Sequence, residues 1–96
     1  MPPSSDARLD LPAEVVARLP EGVDLHARPA ADFVRCAMRF EASLEAQAGA
    51  REANAKSLLA VLALGAKGGS DLRLRAQGED APAALEALAA CVSGLS

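Results

Sequence analysis

This 96-residue sequence contains no tryptophan and no tyrosine, and its whole stock of Phe, Trp and Tyr is Phe33 and Phe40. With so few large rings, a core has to be assembled from Ala, Val and Leu, which makes it thin. The same poverty leaves no platform on which bases could stack. No apolar run approaches the ~20 residues needed to span a bilayer, so no membrane insertion is expected. Basic residues are the minority: ten Lys and Arg face thirteen Asp and Glu, for a net charge of −3. The cations are scattered rather than striped, which argues against nucleic acid as a partner. Cysteine is scarce too, with Cys36 and Cys91 far apart and no CxxC pair. One histidine and two distant thiols supply no metal set, so no metal and no cofactor are expected. Free thiols with packing roles, in a reducing cytosol, are the expectation for the two cysteines. The opening "MPPSSDARLD" lacks the basic-plus-apolar organisation of a signal peptide and reads as the start of a flexible tail over residues 1–12.

What is present is globular: 51% of the residues are hydrophobic and 24% charged. Residues 13–96 are enough for one domain with a single modest core. "PAEVVARLP" alternates weakly between prolines and reads as a strand, followed by the loop "EGVDLH". From Ala27 to Arg39, Ala30, Phe33, Val34, Ala37 and Met38 fall on one helical face. "FEASLEAQ" alternates from Phe40 to Gln47, and "AGAREANA" returns across a short Gly-containing turn, which predicts a hairpin. "KSLLAVLALG" is a short apolar helix marked by Ser57 before it and Gly65 after it. After the turn "KGGS", "DLRLRAQ" alternates cleanly. Finally "EDAPAALEALAACVSG" predicts a helix with Asp80 as N-cap, Pro82 in its first turn, and Leu85, Leu88, Ala89 and Val92 as its buried stripe. The order βαββαβα, with in-out alternation in the strands, predicts an α+β fold. Its antiparallel sheet would be covered on one face, with Arg73, Arg75 and Glu45 on the open one.

The chemistry concentrates in "VDLHARPAADF". If a helix starts at Ala27, His26 is its N-cap, and Pro29 lies in the first turn, where a missing N–H breaks no intrahelical bond. The free amides of that turn and the positive end of the helix dipole form an anion site. Arg28 adds a fork-shaped cation suited to phosphate oxygens. A neutral imidazole carries a lone pair, so an anion site around it suggests a histidine that is itself reversibly phosphorylated. A solvated or merely capping histidine is the plainer alternative. No nucleophile elbow or serine-type triad is visible.

Three stretches now point to a family. "LHARPAADFV" resembles the active-site signature of HPr, the histidine-containing phosphocarrier of the bacterial sugar phosphotransferase system. "NAKSLLAVLALGAKGG" resembles its second signature and "GEDAPAALEAL" its last helix, in order and in register from about Glu14 onward. The resemblance implies an open-faced β-sandwich, a four-stranded antiparallel sheet with three helices on one face. It implies phosphorylation of His26 on Nδ1, with Ala27 and Arg28 holding the phosphate oxygens. Enzyme I would supply the group from phosphoenolpyruvate, and an enzyme IIA component would take it for sugar uptake. The chain would be a cytoplasmic, monomeric carrier rather than a stand-alone enzyme.

By the same resemblance, Ser57 matches a serine that an HPr serine kinase phosphorylates in some bacteria; its other reading is a plain N-cap. Ala31, Arg35, Leu58, Leu59 and Leu62 match the partner interface, Arg39 is a further basic residue near it, and Val61 and Leu64 are core. Asp32 and Met38 also fall among the partner-facing positions. Asp24 stands where the family usually has Gly, in a longer loop, and reads as a loop residue whose carboxylate could repel a phosphohistidine or orient the neutral ring. Two further branches share the resemblance: a regulatory relative (nitrogen-related, or a partner of dihydroxyacetone kinase) and an adaptor that no longer transfers.

Overall fold

The computed structural model describes residues 13–96, and the tail expected over residues 1–12 lies outside them. The elements are β1 (Ala13–Arg18), α1 (Ala27–Ala37), β2 (Ser43–Ala48), β3 (Arg51–Asn54), α2 (Leu58–Ala63), β4 (Asp71–Gln77) and α3 (Ala81–Ser93). This is the expected βαββαβα order. The strands form one sheet in the order β1-β4-β2-β3, with every neighbouring pair antiparallel.

Strand alternation decides which face is covered. Ala17, Leu44, Ala46, Ala53, Leu72, Leu74 and Ala76 are buried. Above them, α3 packs on β1 and β4, α2 packs on β3, and α1 packs against both other helices. The other face carries the expected charges. Arg75 stands in register opposite both Glu14 and Glu45. Its guanidinium donates to Glu14 Oε2 from Nε at 3.0 Å and from Nη2 at 2.9 Å. The hydrogen bond and charge of Glu14 push the Arg75 pKa further up. These exposed cross-strand pairs fix alignment more than they add stability.

The core is aliphatic, as the composition demands. Phe33 is its one fully buried ring, among Leu19, Leu25, Leu44, Leu72, Leu74, Leu88, Val61 and Val92. Phe40 is only partly buried, and the Arg39 guanidinium lies 5.6 Å from its ring centroid. No buried side-chain nitrogen or oxygen among the described residues lacks a partner.

Three local readings need correction. α1 stops at Ala37 rather than Arg39: the amides of Arg39 and Phe40 donate to the carbonyls of Cys36 and Ala37, both at 3.2 Å, tightening the chain out of the α-helix. Met38 accordingly leaves the buried face and is 65% exposed. β2 begins at Ser43 rather than Phe40, because the preceding backbone is held by a side chain instead of a strand. The amides of Glu41 and Ala42 donate to Asp80 Oδ2 and Oδ1, each at 2.8 Å. Asp80 does stand at the N-cap of α3, but its carboxylate, engaged there, makes no capping bond.

Candidate functional site

β1 leads to α1 through residues 19–26, and this loop presents the imidazole. Leu25 is 1% exposed and its amide donates to the Ala66 carbonyl at 2.9 Å, so the residue before His26 is pinned in the core. The His26 amide turns back to the Asp24 carbonyl at 2.9 Å. His26 takes the N-cap position of α1 in extended conformation (φ −141°, ψ 171°), as the spacing predicted, but its side chain makes no capping hydrogen bond. The imidazole is exposed and has no partner among the described residues, so it does not cap the helix.

The next residue is unusual. Ala27 has φ +48°, in the left-handed region, and is the only non-glycine among the described residues with positive φ. That conformation costs an alanine about 1–2 kcal/mol. It swings the chain from the extended His26 into the helix within a single residue.

The helical ladder leaves the amides of Ala27 and Arg28 without an intrahelical acceptor, and Pro29 has no N–H. No acidic residue occupies the first turn, so no carboxylate of the helix competes for the positive end of its dipole. The Arg28 side chain is exposed and has no hydrogen-bond or ion-pair partner among the described residues. Two amides, one guanidinium without a partner among the described residues and one exposed imidazole thus belong to consecutive residues at a single helix end. Together they can bind a tetrahedral anion and offer it a nitrogen nucleophile.

Asp24 does not reach towards this cluster. Its Oδ1 accepts from the Gly68 amide at 2.8 Å, and Lys67 Nζ lies 4.0 Å from its Oδ2. The expectation of a loop residue holds, with a definite partner that sequence reading missed. The signal lay in "KGGS", read only as a turn. A Cβ on Gly68 would come within 2.5 Å of the Val23 nitrogen and 2.6 Å of the Gly22 nitrogen, so only glycine lets the two backbones touch there.

Ser57 is the N-cap of α2: its Oγ accepts from the Ala60 amide at 3.3 Å. Leu58 and Leu59 are 42% and 81% exposed, Leu62 is partly buried, and Val61 and Leu64 are core, as expected. On α1, Ala31 is partly buried, and Arg35 is exposed but paired with Asp32 at 3.1 Å. Cys36 and Cys91 are free thiols, one buried and one partly buried. Among the described residues, no three His, Cys, Asp or Glu side chains gather as metal ligands.

Residues 13–93 match the PTS-HPr family profile, described as "PTS HPr component phosphorylation site". The chain belongs to the HPr family of phosphocarrier proteins. It is 49% identical over 70 residues to the phosphocarrier protein HPr of Streptomyces coelicolor, covering 72% of this chain and 75% of that one. It is 43% identical over 79 residues to the HPr-like protein Crh of Bacillus subtilis, covering 82% and 91%. The fold superimposes on the crystal structure of HPr from Bacillus anthracis with a TM-score of 0.82 at 36% identity, covering 88% of this chain and 100% of that one. A multiphosphoryl transfer protein of Xanthomonas campestris is 42% identical over 72 residues, which are 75% of this HPr-family chain but 9% of that protein. The open-faced sheet with three helices on one face is therefore the family architecture.

Proposed function

We propose that this HPr-family chain accepts a phosphoryl group on His26 from Enzyme I and passes it to an enzyme IIA component. The observation that carries the reading is the exposed, uncapped imidazole beside the unpaired Arg28 and the free amides of Ala27 and Arg28. The Nδ1 lone pair forms the bond to phosphorus while the donor's bond to phosphorus breaks. The amides and Arg28 take up the charge on the oxygens throughout. The reverse step delivers the group to a histidine of the IIA component. Because nothing is turned over on the chain itself, it acts as a carrier rather than a stand-alone enzyme.

Ala31, Arg35 and the leucines Leu58, Leu59 and Leu62 form the docking side, where exposed apolar surface suits short-lived contacts. Phosphorylation of Ser57 by an HPr serine kinase would set a dianion at the start of α2, beside Leu58 and Leu59, and repel an acidic partner. The setting is the cytoplasm and the working unit a monomer; among the described residues no helix is long and apolar enough to cross a membrane. A regulatory role has one observation behind it, the 43% identity to an HPr-like protein, Crh. The exposed imidazole with its anion site favours the carrier.

The test is incubation with a generic Enzyme I and labelled phosphoenolpyruvate, comparing wild type with His26→Ala. Acid-labile label is expected on wild type and none on the variant. Absence of label from wild type, with the cognate Enzyme I failing as well, would leave a non-transferring adaptor.

A further inference from the structure

The loop that presents His26 is held from outside itself. Within it, the Val23 amide donates to the Pro20 carbonyl at 3.1 Å and the His26 amide to the Asp24 carbonyl at 2.9 Å. Both are short-range turns and do not themselves set how the loop sits on the rest of the molecule. Leu19, at the root of the loop, is tied to the α2–β4 turn by Leu19 N to Ser70 O and Gly69 N to Leu19 O, both at 2.9 Å, and residues 20–26 are tied to that turn by two further hydrogen bonds. One is the backbone bond from Leu25 N to Ala66 O at 2.9 Å. The other is Gly68 N to Asp24 Oδ1 at 2.8 Å, the one side-chain hydrogen bond joining residues 20–26 to that turn among the described residues. Asp24 therefore holds both ends of the connection, its side chain on the far turn and its carbonyl on the amide of His26.

We propose that Asp24 is a positioning residue for phosphoryl transfer, an inference that rests on His26 being the acceptor. Its carboxylate fixes the loop against Gly68, and so fixes the imidazole relative to the amides of Ala27 and Arg28. Transfer depends steeply on that geometry, since a displacement of about 1 Å from the reactive position lowers rates by up to ~100-fold. The same bond directs the negative charge towards the Gly68 amide and Lys67, away from the oxygens of the incoming group. The hydrogen bond, not the charge, is the working element. The Lys67 ammonium sits at the 4.0 Å limit of an ion pair and is 79% exposed, where such a pair contributes little.

The experiment measures steady-state phosphorylation of the full chain by Enzyme I, with the carrier as varied substrate, for wild type, Asp24→Ala, Asp24→Asn and Lys67→Ala. Thermal melting establishes that each variant is folded. Asp24→Ala is expected to lower kcat by about tenfold at nearly unchanged KM, because the docking leucines are untouched. Asp24→Asn keeps an oxygen acceptor for Gly68 and is expected within about twofold of wild type, as is Lys67→Ala. If Asp24→Ala does not fold, Asp24→Glu, which displaces the acceptor by one methylene, replaces it with the same expectation. A folded Asp24→Ala at wild-type kcat would overturn the proposal, and so would an Asp24→Asn as slow as Asp24→Ala. Failure of wild type itself to become labelled is a separate result, and it sinks the carrier reading instead.

Discussion

His26 and Cys91 are both nucleophile types, and their surroundings separate them. The imidazole stands in solvent at a helix end. The Cys91 thiol is partly buried between α1 and α3, directed at the Asp32 carbonyl at 3.9 Å. Burial first, and the neighbouring Cys36 second, push it up from 9.0 to about 11. At pH 8 only about one Cys91 in a thousand is thiolate, and the thiolate is the reactive form. Alkylation of native protein by iodoacetamide, followed by mass spectrometry, should leave Cys91 almost unmodified at pH 8 and accelerate about tenfold per pH unit towards 11. Urea should expose it to rapid labelling at the lower pH. Since the folded value lies above the unfolded one, the stabilising contribution is intact below about 9 and is lost as pH rises towards about 11. Urea melts at pH 8 and pH 10 check that sign.

At the scale of elements, the joints differ from the elements themselves in how they are built. Asp80 receives two backbone amides from the chain that leads into β2, each at 2.8 Å. Removing a charged acceptor of one partly buried and one exposed bond should destabilise by about 1–2 kcal/mol. Asp80→Ala is therefore expected to shift the urea midpoint downwards at constant slope, with Asp80→Asn in between. Hydrogen exchange at Ala42 should speed up in parallel.

This joint also marks where sequence reading ran out. Regular elements were legible because periodicity is local: "DLRLRAQ" alternates, and the α1 face from Ala30 to Ala37 repeats at helical spacing. The helix end at His26 was equally legible, since Pro29 and the start of apolar periodicity lie within a few residues. Asp80 looked like an ordinary N-cap because nothing nearby in sequence competes for it. Its actual partners lie 39 and 38 residues away. Asp24 was opaque for the same reason, and the left-handed Ala27 because alanine carries no mark of positive φ.

At the scale of the molecule, the shortage of aromatics becomes a matter of stability. Phe33 is fully buried and is the only large ring at the centre of an otherwise aliphatic core. Its truncation to alanine should cost about 3–5 kcal/mol, a large part of the 5–15 kcal/mol that holds a typical domain together. Thermal or urea denaturation of Phe33→Ala should place it near the edge of folding, whereas Phe33→Leu should retain a cooperative transition.

The strand order β1-β4-β2-β3 has a consequence in time. β1 leaves the ribosome first, but its partner in the sheet is the last strand made. The turn that Asp24 grips likewise lies 44 residues downstream. A nascent chain therefore carries a finished His26 segment long before anything exists to organise it. The His26 end of the molecule thus becomes ordered late, together with the sheet it hangs from.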